Sequence, residues 1–213
     1  QAYEQVMANP RFRPITRGGP VRLPDSSGGV TAFKFRDRDG HPLELLAFPP
    51  GRGPGEWRTA SGAGPLLGID HTAIAISDTA RSASFFEAVF GFRAGAGTEN
   101  RGPGQDALDD VDDVRVSVTP IARGLPAPRM ELLSYHVGSR RPIAPDTASN
   151  DIPATHCVVH VASLDVTAAA LARRGRPLTA GDLMVRRGGM RAALVQGPDG
   201  HRFLVEERIR RGE

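Results

Sequence analysis

Three side chains in this sequence sit where strands could present them to a cavity. Residues 68–78 read GIDHTAIAISD. Alternation puts His71, Ala73 and Ala75 on one face of a strand and Thr72, Ile74 and Ile76 on the other. The second face is apolar and reads as core, whereas the first carries an imidazole beside two small residues that leave space. Residues 155–162, THCVVHVA, repeat the arrangement. There His156 shares a face with Val158 and His160, and Cys157, Val159 and Val161 form the apolar face. Glu131 lies between Met130 and Leu132 in RMELLSY, residues 129–135. An inward carboxylate in such a strand is costly unless it is paired or metal-bound, and Arg129 is the simplest partner. Imidazole and carboxylate are donors for divalent metals and acid–base groups. His41 and His201 follow turn glycines and His136 lies in a connector, so these three read as turn or surface residues.

The elements that must hold these residues follow from period and punctuation. Ser77 and Asp78 cap a helix over 79–90 whose stripe is Phe85, Phe86, Val89 and Phe90, and Gly91 stops it. Residues 94–109 read as an irregular loop or weak strand in which Asn100, Gly104 and Gln105 could close over a ligand. Strands follow at 114–121 and 129–135, then a polar connector at 137–153. The strand at 155–162 leads into a helix at 164–173 with Gly175 just beyond it. Strands at 184–187, 191–196 and 203–206 complete the set. Upstream, a helix over 2–8 precedes a strand at 13–16, a turn at 24–29 and a strand pair at 30–35 and 42–48. A Pro/Gly/Ser-rich linker spans 51–66, with Trp57 placed to pin it.

Repeats organise these elements. Arg11-Phe-Arg-Pro-Ile-Thr16 recurs as Arg174-Gly-Arg-Pro-Leu-Thr179, and Asp39-Gly-His41 recurs as Asp199-Gly-His201. Residues 1–50 therefore match the end of the unit that finishes near residue 209. They read as the C-terminal part of a first domain whose N-terminal portion lies upstream. Residues 67–209 form a complete domain of two strand-helix-strands modules, 67–136 and 154–209. His71 and His156 open the two modules.

Composition narrows the partners. The formal charge of +3 and pI near 9.7 come from scattered arginines interleaved with acids, Lys34 being the only lysine. No basic stripe with interleaved aromatics marks a nucleic-acid surface. The Arg208–Arg211 run reads as a solvated tail. No apolar run approaches membrane-spanning length. A single cysteine, Cys157, excludes an internal disulfide framework and fits a reducing cytoplasm. The Ala/Gly/Pro/Arg-rich usage suggests a GC-rich bacterial genome.

A repeated βαβββ unit with "IDH" opening one copy and "DGHPLELL" closing another resembles the vicinal oxygen chelate superfamily, which includes glyoxalase I, extradiol dioxygenases and bleomycin-resistance proteins. The resemblance implies an α+β fold in which paired βαβββ modules form a curved mixed sheet around a cleft, here with a partial second copy at the N-terminus. It also implies a divalent metal (Zn, Ni, Mn or Fe(II)) held by His71, Glu131 and His156. The family's last-strand ligand sits four residues beyond the turn glycine. That position is Glu44 in the partial copy, which lacks its own first strand, so no metal site is expected there. In the complete domain it is Leu204, and Glu206 is the nearest carboxylate on that face. Two residues along a strand span about 6.6–6.8 Å, so Glu206 needs a shift in register to ligate. The implied function is a glyoxalase-like metalloenzyme of lyase or isomerase type acting on a small substrate with vicinal oxygens, with Glu131 or Glu206 moving the proton. The alternatives are a ring-cleaving extradiol dioxygenase using His71, His156 and Glu206, and a metal-free protein that sequesters a small molecule. A homodimer is an assembly the resemblance allows.

Overall fold

Strand alternation and helix caps place most elements as expected, and the strand pairing then decides which side chains meet. The computed structural model describes residues 1–58, 64–121, 128–138, 143–144, 146–148, 150–154, 156–185 and 190–207. The Arg208–Arg211 tail, linker residues 59–63, parts of the 137–153 connector, Thr155 and the expected strand positions 186–187 lie outside them. In chain order the elements are α1 (Ala2–Met7), β1 (Arg13–Pro14), β2 (Val21–Arg22), β3 (Thr31–Arg36), β4 (Pro42–Ala47), α2 (Gly55–Arg58) and β5 (His71–Ala75). They continue with α3 (Thr79–Phe90), β6 (Thr98–Arg101), α4 (Pro103–Asp109), β7 (Arg115–Ile121), β8 (Arg129–Tyr135), β9 (His156–Val161), α5 (Leu164–Arg173), β10 (Leu183–Val185), β11 (Arg191–Gln196) and β12 (Arg202–Glu207).

The chain is α+β, with mixed sheets built on one recurring plan. One sheet runs β5-β8-β7-β6 and another β10-β11-β12-β9. In each, the module's first strand pairs in parallel with its last, and the other neighbours are antiparallel. This is the βαβββ unit twice over. A third sheet is wholly antiparallel, with β1, β2 and β4 all pairing with β3. It repeats the end of a module at a constant displacement: β3 begins at residue 31 and β11 at 191, while β4 begins at 42 and β12 at 202.

Two units divide the chain. The first comprises Gln1–Ala75 and Gly95–Ser139, and the second Ile76–Ala94 and Arg140–Glu213. Within the first, Tyr3 and Phe12 pack their rings on Phe33 and Phe35 of β3. The other face of that sheet is built on Ala32 and Val30 with Leu23 and with Leu108 of α4. Trp57 of the linker lies against Phe48, ring centres 6.2 Å apart.

Within residues 94–109, expected as an irregular loop or weak strand, β6 is the strand and α4 is a helix that was not expected. Only Ala107 and Leu108 are apolar in α4, and a helix of seven residues is marginal alone. Tertiary contacts hold it: Leu108 is buried, its carbonyl accepts a hydrogen bond from the Thr16 hydroxyl, and Asp110 ends the helix at φ 53°.

In the second unit, Asp78 caps α3 by accepting from the Arg81 amide at 2.8 Å, and Gly91 ends it at φ 72°. Phe86 and Phe90 of α3 meet Phe203 of β12 edge-on at 5.4 and 5.5 Å. Asp199, in the turn before β12, also fastens the start of α3. It accepts hydrogen bonds from the Ser77 backbone N–H and hydroxyl, from Ser82 Oγ at 3.1 Å and from Arg81 at 2.9 Å. Burial alone would raise this carboxyl, but these donors outweigh it and hold it below the usual carboxylate value. A depressed pKa contributes stability above the ordinary carboxylate pKa, and that stability is lost as pH falls through the folded value. Asp199→Asn should cost about 2 kcal/mol at neutral pH. Urea unfolding should show the gap to wild type closing below about pH 4.

Candidate functional site

The first unit gathers the polar groups. The parallel register of β5 and β8 sets Ala73 beside Glu131 and His71 beside Arg129. His71, Ala73, Glu131 and Tyr135 therefore share one face of this sheet. The His71 Nδ1 lies 2.8 Å from Asp70 Oδ2. A carboxylate only accepts, so Nδ1 carries a proton, and Nε2 faces Glu131, whose Oε2 is 3.5 Å away. Arg129 does not neutralise Glu131. It pairs instead with Asp70 Oδ1, and its backbone N–H bonds the Asp70 carbonyl at 2.8 Å. Asp70 thus orients the imidazole and occupies the arginine, which leaves Glu131 to His71.

Glu44 of β4 lies near enough to this pair to feel the charges of both. Lys34 of β3 and Glu44 are direct cross-strand partners. The Lys34 ammonium forms an ion pair with Asp109 of α4 and lies 3.4 Å from the Tyr135 hydroxyl, so it joins both sheets and the helix. Asp109 is 4% exposed and Lys34 18%. Burial works against the lysine's charge, but Tyr135, Glu44 and Asp109 outweigh it and raise its pKa. Burial pushes the Glu44 carboxyl above its ordinary value; Lys34 and His71 pull it down, while Asp109 and Glu131 add to the rise. Burial likewise raises Tyr135, which keeps its phenolic proton. Gln105 of α4 donates to Asp109 at 2.6 Å. Gln105 also lines a cavity of about 460 Å³ with Arg22, Leu23, Asn100 and Arg101.

The expected ligand set is divided between the units, with His71 and Glu131 in the first and His156 and Glu206 in the second. The His156 side chain lies outside the described residues. In β9–β12 the register sets Glu206 opposite His160 and Arg202 opposite His156. Glu206 is buried, with its Oε2 3.7 Å from His160 Nδ1. Leu204, at the position where the family's motif has a carboxylate, is 8% exposed.

Sequence reasoning set Glu44 aside and missed Lys34, Asp109 and Tyr135 as site residues. A signal was present. The hairpin register sets the chain's only lysine opposite the glutamate four residues beyond Gly40.

His71 and Glu131 offer a nitrogen and an oxygen at a separation suited to one ion, since two zinc ligands at tetrahedral angles stand about 3.4 Å apart. A carboxylate on the far nitrogen is also how a metal-binding imidazole is held. Among the described residues no three His, Cys, Asp or Glu side chains are grouped to hold one ion, so this pair supplies two positions.

Comparison with known proteins agrees with the topology. Residues 68–205 match the model of the glyoxalase/bleomycin resistance protein/dioxygenase superfamily. The chain belongs to that superfamily. No curated protein is similar enough to match. A glyoxalase family protein from Bacillus cereus aligns with a TM-score of 0.60 at 16% identity, over 71% of this chain and 100% of that one. Glyoxalase I from Zea mays aligns with a TM-score of 0.56 at 11% identity, over 97% of this chain and 64% of that one. At these identities the likeness is one of fold. No helix among the described residues is long and apolar enough to cross a membrane.

The Lys34–Asp109 pair makes a stability prediction. Lys34→Met leaves Asp109 buried without its cation and should cost about 3–5 kcal/mol. Lys34→Met combined with Asp109→Leu should recover most of that loss. Urea unfolding of the two variants and of wild type measures the difference.

Proposed function

We propose that this member of the superfamily is a glyoxalase-like enzyme acting on a small substrate with adjacent oxygens, at the cleft lined by His71, Glu131 and Glu44. The observation that carries the reading is the His71–Glu131 pair, with the imidazole held by Asp70 and the carboxylate left unclaimed by Arg129. His71 Nε2 and Glu131 would hold a divalent ion (zinc, nickel, manganese or ferrous iron). Such an ion, when bound, supplies a Lewis acid that steadies negative charge on the substrate's oxygens.

The chain's own groups do the rest. Asp70 keeps the Nδ1 proton in place and so fixes the tautomer and the angle of the ring. Ala73, next to Glu131 in the register, leaves room for a ligand above the pair. Glu44 feels the charges of both His71 and Glu131, and burial holds its pKa above the ordinary carboxylate value, which favours a carboxyl that can take and return a proton. The reading rests on the first unit alone and gives His156 and Glu206 no role at this pair.

The second reading is a metal-free protein that sequesters a small molecule. The observation in its favour is that Glu44 faces the Lys34 ammonium, which already supplies a positive charge. Metal analysis of the purified protein separates the two. The enzyme reading expects stoichiometric metal whose affinity falls at least tenfold in His71→Ala and in Glu131→Gln. No metal above trace in wild type after incubation with each of the four ions, at any of them, would leave the sequestering reading. Oxygen uptake with catechol by the iron-loaded protein would instead mark the ring-cleaving chemistry.

A further inference from the structure

The repeat that organises the fold provides an internal control on the Lys34 cluster. Lys34 and Glu44 are cross-strand partners in β3–β4, and the residues 160 positions later, Leu194 and Leu204, are cross-strand partners in β11–β12. The same hairpin is therefore built once with a charged pair and once with two leucines. Since leucine satisfies the fold at these positions, the lysine and glutamate answer to something other than the hairpin. Burying charge is also the costlier solution.

The groups around Lys34 have hydrogen-bonding capacity to spare. The Tyr135 hydroxyl stands 3.4 Å from Lys34 Nζ and 3.5 Å from Asp109 Oδ1, at the long limit of hydrogen bonding on both sides. Gln105 is 5% exposed; its amide nitrogen is used on Asp109, while its Oε1 is buried without a hydrogen-bond partner. A buried acceptor left open is uncommon, because it forfeits the hydrogen bond it made with water. Lys34 and Tyr135 can donate and Gln105 can accept. Asp109 already balances the lysine's charge.

We propose that Lys34, Tyr135 and Gln105 form a second polar subsite of the first unit, one that takes a neutral hydroxyl group of a small molecule rather than an anion. A hydroxyl both accepts and donates, which suits this combination of donors and open acceptor. At Lys34 an anion would meet Asp109, Glu44 and Glu131, and Asp109 already pairs with the lysine. The subsite rests on reading the face of Glu44 and His71 as a ligand cleft, and it makes Tyr135 and Gln105 specificity determinants for that ligand.

A matched pair of probes tests it: propane-1,2-diol, neutral with adjacent hydroxyls, and lactate, of similar size and anionic. NMR of the full chain, following the Lys34 ammonium and the Gln105 side-chain amide, reads each titration directly. The expected result is that the diol shifts both signals saturably and binds at least tenfold more tightly than lactate. Tyr135→Phe, which removes only a loosely held hydroxyl, should weaken the diol at least threefold while leaving metal binding at His71 and Glu131 unchanged. No saturable shift with the diol, tighter binding of lactate, or a Tyr135→Phe variant that binds the diol as wild type does would each overturn the proposal. The metal measurement on wild type is independent of these signals, so a failed subsite and a failed metal reading are told apart.

Discussion

The parallel pairing of β5 with β8 is the constraint on which the candidate site depends. Parallel neighbours cannot be joined by a tight turn, so the chain must leave β5 and return much later to lie beside it. The return brings residue 131 next to residue 73 and puts His71 and Glu131 on one face. The segment between them holds helices α3 and α4 and strands β6 and β7, and the pleat makes the two side chains neighbours. The same pairing joins β9 to β12, where it sets Glu206 opposite His160.

Around that constraint, each charge in the first unit acquires a definite partner. Asp70 binds both His71 and Arg129, which keeps the arginine from closing the site by pairing with Glu131. Lys34 holds Asp109, and through it α4, against the sheet that carries Glu44. A ligand entering between these groups would meet an oriented imidazole and a carboxylate. Lys34, Tyr135 and Gln105 gather around Asp109. Such sites keep polar groups that a core designed for stability alone would replace.

The repeats explain why the two modules share a plan and differ in chemistry. A fold-determining position tolerates whatever keeps the strand paired and one face apolar, and Leu194–Leu204 meets that condition as well as Lys34–Glu44 does. Fold membership accordingly says where a site can be, and the residues at the permissive positions say what it can do.

The elements themselves were legible. Alternation located β5, β7 and β8, and the Asp78 and Gly91 caps bounded α3, because these signals act over a few residues. The short α4 was not legible, since its stability comes from Leu108 and Thr16 partners far away in the chain. The histidine and glutamate of the pair could be named from the sequence as cleft candidates, and the family resemblance added the chelating role. The partner of Arg129 could not be read there, because Glu131 and Asp70 compete for it and only the placement of β8 beside β5 decides in favour of Asp70. Glu44 was set aside for want of a module around it, and only the tertiary structure brings it within electrostatic reach of His71 and Glu131. Local pattern, then, determined the strands, the caps and the repeat, all of which depend on neighbours in sequence. Which charges meet depends on long-range pairing, and that was left to the tertiary structure.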